Sequence, residues 1–185
     1  AHVGDETLRL DLSIPKGATG RLPAIVVIHG GAWRAGSRSD FAELTWRLAE
    51  SGFVAATVGY RFSPEHRFPA QVQDVKCAVR FLRAHAEELH IDTERIGAVG
   101  FSAGAHLALM LGVMDPKDGL DDSGGSDGFS SKVQALVSFF GPTDFELPAT
   151  DVTRPLLVDF LGGSLDEARN AYHRASPVNY LDAGD

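Results

Sequence analysis

The sequence predicts an α/β fold, in which a mostly parallel sheet carries helices on both faces. Two observations support this prediction: several segments are apolar at almost every position, as in strands covered on both sides, and they alternate with amphipathic helices. Residues 24–28 form the clearest such segment, since all five are apolar and four are β-branched. Before it, residues 8–14 alternate apolar and polar side chains, which indicates a half-buried strand.

The remaining elements follow from strand and helix signals along the chain. Ser39 or Asp40 can cap a helix that runs to Ala49, and Gly52 ends it. Apolar residues at helical spacing predict a second helix from about Pro69. Further strands are predicted at 53–58, 95–99 and 133–140, a third helix at 103–113, and short helices at 154–161 and 165–175. The Asp-, Gly- and Ser-rich segment 115–131 predicts a long, mobile surface loop.

Composition and charge narrow the possible classes of protein. The 185 residues include 17 Lys and Arg against 25 Asp and Glu, a formal charge of −8 that argues against a nucleic-acid binder. With 44% apolar residues, the chain is predicted to form a single domain over residues 1–185. Its apolar stretches fall far short of the ~20 residues of a membrane-spanning helix, so no membrane span is predicted. Cys77 is the single cysteine, which forbids an internal disulfide.

The segment Gly100-Phe101-Ser102-Ala103-Gly104 has the G-x-S-x-G pattern and lies where a buried strand turns directly into a helix. Such a turn is so tight that side chains at the two glycines would collide with backbone, while the serine hydroxyl is exposed. The N–H groups at the start of the helix, including that of Ala103, could hold a developing oxyanion. The pattern therefore favours Ser102 as a catalytic nucleophile over a plain strand-to-helix turn.

A second glycine motif, His29-Gly30-Gly31-Ala32-Trp33, directly follows the strand at 24–28. Two successive glycines let the backbone approach a reacting carbonyl closely and present N–H groups to it. Gly30 and Gly31 are therefore candidates for an oxyanion hole. Trp33 and Phe101, which flank the two motifs, could line an acyl or alcohol pocket, although core packing explains Phe101 at least as well.

Together these motifs resemble those of the α/β-hydrolase esterases, particularly the hormone-sensitive-lipase-like and the feruloyl or acetyl esterase-like branches. The resemblance also includes Tyr60-Arg61-Phe62-Ser63-Pro64-Glu65, Phe68-Pro69-Ala70, Gln73-Asp74-Val75, Phe140-Gly141-Pro142-Thr143-Asp144 and Ala175-Ser176-Pro177-Val178. It implies an α/β-hydrolase fold and hydrolysis of a carboxylic ester by Ser102, with Gly30, Gly31 and Ala103 as oxyanion donors and no cofactor. Gly59 departs from the pattern, because such proteins often carry Asp before Tyr-Arg.

The position of the catalytic base is the main open question. In this fold the acid and the histidine follow the serine, on loops after the last two strands. In the family, a segment like 176–182 immediately precedes the first of those strands. We therefore expect a C-terminally truncated fold, with the base in a complementing C-terminal segment. The strand at 133–140 leads to the same expectation, because it is apolar on both faces and would be unprotected at a sheet edge.

A triad within the chain would have to be Ser102, Asp144 or Asp166, and His173. This triad is disfavoured because His173 lies in a helical run between arginines and is more simply a solvated or capping side chain. His106 lies one helical turn after Ser102 and is predicted to be a packed histidine.

Other chemically active side chains are assigned structural roles. Arg61 and Asp74 are interpreted as a structural ion pair or caps rather than as substrate contacts. Cys77 is predicted to be buried and inert. No His or Cys spacing typical of a metal site is present, so no metal is predicted.

The sequence thus predicts a serine carboxylesterase that acts on small to medium acyl esters of small molecules. Without the complementing segment, this chain alone is expected to be nearly inactive. An amidase or peptidase of the same fold uses the same serine chemistry and remains an alternative. So does a catalytically silent binding module, whereas the glycine patterns of nucleotide-binding proteins are absent from the sequence.

Overall fold

The computed structural model describes residues 1–3, 5–120 and 124–183. Two short strands, β1 (His2–Val3) and β2 (Glu6–Thr7), form an antiparallel pair. The central sheet has five strands: β3 (Leu10–Ser13), β4 (Leu22–Ile28), β5 (Val54–Val58), β6 (Ile91–Phe101) and β7 (Ala135–Phe139). Their order is β3-β5-β4-β6-β7, with β3 antiparallel to β5 and the other three pairs parallel. The mostly parallel sheet that the sequence predicts is confirmed.

Helices lie on both faces of this sheet. They are α1 (Ala42–Glu50), α2 (Ala70–Ala84), α3 (Ala103–Val113), α4 (Thr153–Leu161) and α5 (Arg169–Ala175). Leu44 of α1 and Val137 of β7 line the same apolar cavity. On the other side α3 packs so closely on β7 that a Cβ at Gly112 would lie 2.1 Å from the Leu136 side chain. Adjacent strand residues point to opposite faces, so α1 and α3 cover opposite faces of the sheet.

Element boundaries differ from the predicted ones in a few places. β6 begins at Ile91 rather than Arg95, and the strand predicted at 8–14 is shortened to Leu10–Ser13. The helix that ends near Ala49 is preceded by a 3₁₀ turn capped by Ser37 rather than by Ser39 or Asp40. Helix α3 has the predicted bounds. None of the helices in the described ranges is long and apolar enough to cross a membrane.

The segment 115–131 is a surface loop, as predicted, with exposed residues at 125 and 127–130 and one 3₁₀ turn at Pro116–Asp118, but its backbone is also hydrogen-bonded to α2. Long side chains of α2 donate hydrogen bonds to carbonyls of this segment: Lys76 Nζ to Gly119 at 2.9 Å and Arg83 Nη1 to Ser130 at 2.6 Å. Leu120 is buried as well. The Gly- and Asp-rich composition conceals these contacts, because it is the backbone of the segment that accepts the bonds. Residues 121–123, which also belong to the predicted loop, lie outside the described residues.

In the described part of the chain, β7 lies at an edge of the sheet rather than at the interior position that its apolar pattern predicts. Its neighbour β6 covers one side only. Val137, Phe139 and the adjacent Phe140 are therefore exposed by 52%, 44% and 78%. By contrast, all five residues of β5 are buried between β3 and β4.

Candidate active site

Ser102 lies in the turn that joins β6 directly to α3. Its backbone adopts φ 52° and ψ −117°, a region that a non-glycine residue enters only when its surroundings fix it there. The Ser102 N–H donates a hydrogen bond of 2.9 Å to the carbonyl of Phe139, and its own carbonyl accepts from His106 N–H at 3.1 Å. The residue is exposed, and its hydroxyl makes no hydrogen bond with any residue the structure describes. This side chain is thus free to meet an incoming ligand.

Close backbone contacts bring the two glycine motifs together. A Cβ at Gly104 would lie only 2.2 Å from the carbonyl oxygen of Ile28, at the end of β4. A Cβ at Gly30 would lie 2.9 Å from the Phe101 carbonyl oxygen and 3.4 Å from Cβ of Ser102. Only glycine allows such approaches, so the segment 29–33, which we call the oxyanion loop after the role predicted for it, lies directly beside Ser102.

The carbonyls of the oxyanion loop are held by side chains. The Tyr60 hydroxyl lies 3.0 Å from the His29 carbonyl oxygen and 3.1 Å from that of Gly30. The ring Nδ1 of His29 lies 2.7 Å from the same Gly30 oxygen, which only accepts, so Nδ1 carries the proton. In a trans peptide the C=O and the following N–H point in opposite directions. The N–H groups of Gly30 and Gly31 therefore point away from Tyr60.

Burial keeps this part of the site uncharged. It lowers the pKa of His29 below its ordinary value of 6.5, although the hydrogen bond to Gly30 acts in the opposite direction. Burial also raises the pKa of Tyr60, whose ring stacks on His29 with centroids 4.4 Å apart. Both side chains consequently act as neutral hydrogen-bond donors at neutral pH.

The ion pair of Arg61 and Asp74 holds the segment that carries Tyr60. Arg61 Nη2 lies 2.7 Å from Asp74 Oδ1, and the Arg61 N–H donates to Asp74 Oδ2 at 2.8 Å. Asp74 is buried on α2. The structural role predicted for this pair is confirmed, and the pair fixes the residue next to Tyr60.

A cleft of about 500 Å³ opens at Ser102. Apolar side chains form most of its wall: Trp33, Pro142, Phe145, Leu147, Leu156 and Leu157. Asp144 also borders the cleft, and its Oδ1 accepts a hydrogen bond from Glu146 N–H at 2.9 Å. A cleft with this lining suits the apolar part of a small ligand.

Trp33 and Phe101, the two predicted pocket residues, have different positions. Trp33 lies in the wall of the cleft and stacks on Phe160 of α4, with centroids 4.3 Å apart. Phe101 does not line this cleft. It stacks between Phe41 and Phe139 on the α1 side of the sheet, at 4.3 Å and 4.9 Å. The substrate contact predicted for Phe101 is corrected to the packing role, because the β6 pleat turns its side chain away from Ser102.

No histidine of the described ranges lines the cleft at Ser102. The ring of His173 is exposed, and its Nδ1 lies 3.0 Å from Glu146 Oε2. His106 is fully buried, as predicted, with Nδ1 3.1 Å from Trp33 Nε1 and Nε2 2.8 Å from the Ala175 carbonyl oxygen. The disfavoured triad with His173 is therefore not assembled in this structure.

The sequence interpretation missed two of the side chains that shape the site. Tyr60 was noted only as part of a motif, and the hydrogen bonds of His106 were not foreseen. The helical spacing from Ser102 indicated packing for His106, but no local signal pairs it with Trp33, which lies far away in the sequence.

Among the described residues, no group of His, Cys, Asp and Glu could hold a metal ion. Cys77 is buried, and its thiol donates to the Gly124 carbonyl at 3.1 Å.

The mostly parallel sheet and the Ser102 turn at the end of β6 define the α/β-hydrolase fold class. Comparison with known proteins agrees with this class, since a solved structure described as a truncated form of a carbohydrate esterase from gut microbiota superposes with a TM-score of 0.85. It is 31% identical, and the match covers 95% of this chain and 68% of that one. More specifically, the BD-FAE family model matches residues 10–185, and the chain belongs to that family.

Two further relatives add detail. Esterase LipC of Mycobacterium tuberculosis is 34% identical over 165 residues, which cover 84% of this chain and 40% of LipC. Thermogutta terrifontis esterase 2 phosphonylated by sarin is 28% identical with a TM-score of 0.83, and the match covers 98% of this chain and 66% of that one. The chain therefore spans well under half the length of LipC and about two thirds of the solved esterases.

Proposed function

We propose that the protein containing this chain hydrolyses carboxylic esters and that Ser102 is its nucleophile. The observation that carries the proposal is the position of Ser102. It is exposed in a strained strand-to-helix turn, at a cleft, with the Gly30 backbone beside it. Membership of the BD-FAE family and the similarity to LipC support the same activity.

In the proposed reaction, Ser102 Oγ attacks the acyl carbon of the ester while a base removes its proton. The carbonyl oxygen becomes an oxyanion, which the N–H groups of Gly30, Gly31 and Ala103 would stabilise by ~3 to 4 kcal/mol each. Collapse of this intermediate breaks the bond to the alcohol, which leaves with the proton. Water then attacks the acyl-serine, releases the acid and regenerates Ser102, so one ester and one water become one acid and one alcohol.

The cleft favours small to medium substrates. Its volume of about 500 Å³ and its apolar wall suit a short acyl chain or an aromatic group. Trp33 would contact that group, since this residue lines the cleft beside Ser102.

We further propose that a complementing C-terminal segment supplies the base and covers β7. Val137, Phe139 and Phe140 leave an exposed apolar surface at the edge of the sheet, next to the carbonyl that accepts from Ser102 N–H. Exposed edges of this kind pair readily with another strand. A strand added parallel to β7 would bring the loop that follows it to the same end of the sheet as Ser102, since the carboxyl ends of parallel strands lie at the same end of a sheet.

Fluorophosphonate labelling and ester hydrolysis test the nucleophile. This chain mixed with its complementing segment should incorporate the label at Ser102 and hydrolyse short aryl esters, whereas Ser102→Ala should abolish labelling and lower kcat by about 10⁶. Turnover of a matched amide instead of the ester would favour an amidase. Verified assembly without labelling or turnover would favour a silent binding module and refute the proposal.

A lysine substitution tests the role of the β7 edge. Val137→Lys should weaken binding of the complementing segment and reduce the recovered activity, because a charge then has to be buried under the added strand. It should leave the folding of the chain itself unchanged, since Val137 is half exposed. Ile14→Lys is the matched control and should leave the recovered activity unchanged, because Ile14 is also an exposed apolar residue and lies at the end of the opposite edge strand, β3. Equal effects of the two substitutions would contradict the proposed docking edge.

A further inference from the structure

We propose that His106 is a positioning residue, which holds the oxyanion loop in register with Ser102 through the Trp33 indole. The inference rests on the proposed function, because it assigns a role in the reaction of Ser102. Its basis is a buried chain of two hydrogen bonds, from Trp33 Nε1 to His106 Nδ1 at 3.1 Å and from His106 Nε2 to the Ala175 carbonyl at 2.8 Å.

The two partners determine the state of the imidazole ring. The Ala175 carbonyl only accepts, so Nε2 of His106 must carry a proton. The indole N–H of Trp33 only donates, so Nδ1 must present its lone pair. His106 is therefore a neutral ring in one defined tautomer, and both of its nitrogens are used.

The connection between Ser102 and the oxyanion loop is short. His106 lies one turn into α3 and donates its backbone N–H to the Ser102 carbonyl at 3.1 Å. Trp33 follows Gly31 by two residues. The bond from Trp33 to His106 thus joins the helix that carries the nucleophile to the loop that carries the proposed oxyanion donors.

The oxyanion loop needs such an anchor because its backbone is strained. Ala32 and Trp33 adopt φ values of 50° and 58°, in the left-handed region that disfavours side chains. Strained residues persist only where the surrounding structure holds them. The Trp33 ring is held by stacking on Phe160, and the hydrogen bond to His106 adds the directional restraint that fixes the ring in its own plane.

The surroundings of His106 argue against a role in packing alone. Its ring lies edge to face against Trp33, Phe145 and Phe160 and is fully buried. An aliphatic side chain would fill such an apolar site at a lower desolvation cost than an imidazole. What the imidazole adds is an acceptor for the Trp33 indole and a donor to α5.

A double-mutant cycle in the hydrolase assembled with its complementing segment tests the proposal. His106→Leu should lower kcat for a short aryl ester about 10-fold and leave KM nearly unchanged, because the oxyanion donors shift while ground-state contacts remain. In the Trp33→Phe background, which keeps the stacked ring but removes the N–H, the same change should cost little further kcat. His106→Gln, whose amide can both accept and donate, should recover most of the loss.

Two controls separate positioning from stability. Leu111→Ala removes a buried side chain from the same helix without touching Trp33, so it should lower the unfolding temperature and leave kcat unchanged. In a ¹H–¹⁵N spectrum, Trp33 and the exposed Trp46 give two indole signals, and His106→Leu should change that of Trp33 selectively. If the assembled wild-type enzyme hydrolyses the ester and the His106 variants keep the same kcat, the positioning role is wrong. Additive effects in the cycle would also overturn it. Either result leaves the proposed esterase activity intact.

Discussion

The two turns that meet at the candidate site are built in different ways. The turn after β6 is shaped by local sterics, because a Cβ at Gly100 would lie only 2.1 Å from the carbonyl oxygen of Gly104 within the same motif. The oxyanion loop after β4 is shaped by side chains from elsewhere in the chain, namely Tyr60, Ser63 and His106. One turn is therefore specified by five consecutive residues and the other by residues that are distant in the sequence.

This difference has a consequence for substitutions. A change in the β6 turn acts on backbone packing and should affect folding and reactivity together. A change among the side chains that hold the oxyanion loop should affect reactivity more selectively. The carbonyls of His29 and Gly30 can shift while the rest of the core stays packed. Four substitutions or conditions separate these two behaviours.

The largest effect is expected from Gly104→Ala. The added methyl would overlap the carbonyl oxygens of Ile28 and His29, which lie 2.2 Å and 2.4 Å from the Cβ position. Backbone must move, so we expect a loss of at least about 3 kcal/mol in the free energy of unfolding, together with loss of fluorophosphonate labelling. Gly59→Ala is the matched control, since its nearest neighbours lie at 3.4 Å. Similar denaturation midpoints for the two variants would contradict the steric account.

The same contrast explains how far the sequence could predict the molecule. The buried strands 24–28 and 53–58 and the helix at 103–113 were predictable because period and composition act locally. The neighbouring positions of Ser102 and Gly30 were predictable because each lies in a glycine pattern that directly follows a buried strand. The hydrogen bonds from Tyr60 to the oxyanion loop and the bond from Trp33 to His106 were not predictable. Each joins residues that only the tertiary fold brings together. The packing of 115–132 on α2 was hidden for the same reason.

Acid should reduce stability through His106. Burial lowers the pKa of its ring from 6.5 to about 4, and the hydrogen bond to Ala175 opposes this only in part. Above pH 6.5 the ring is neutral in both the folded and the unfolded chain. Between pH 6.5 and 4 only the unfolded chain takes up the proton, so the free energy of unfolding should fall by up to roughly 3 kcal/mol.

Urea denaturation at several pH values measures this loss. His106→Gln should make the curve less steep between pH 6.5 and 4 and leave the loss that the lowered pKa of His29 contributes there, while a comparison at pH 8 isolates the packing cost of the substitution. An equally steep loss in the variant would show that the acid sensitivity arises from other groups.

Tyr60→Phe should affect reactivity more than folding. It removes the hydroxyl that holds the carbonyls of His29 and Gly30, so the N–H groups of Gly30 and Gly31 lose their fixed direction. We expect about a 10-fold lower kcat with KM nearly unchanged, and a stability loss of about 1 to 2 kcal/mol. Tyr172→Phe removes a buried hydroxyl bonded to the Gly163 carbonyl and is the matched control. An equal decrease in kcat for both variants would refute the expectation that the Tyr60 hydroxyl fixes the direction of the Gly30 and Gly31 N–H groups.

Ser63→Ala should have the smallest effect. The Ser63 hydroxyl donates to the Trp33 carbonyl at 3.3 Å, but the Ser63 N–H donates to the same oxygen at 2.9 Å and remains in the variant. Because the carbonyl keeps its shorter bond, we expect a stability loss of at most about 1 kcal/mol and an almost unchanged kcat. A large decrease in kcat would mean that the loop depends on every one of its contacts. A small one would place the essential restraints at Tyr60 and at the Trp33 indole.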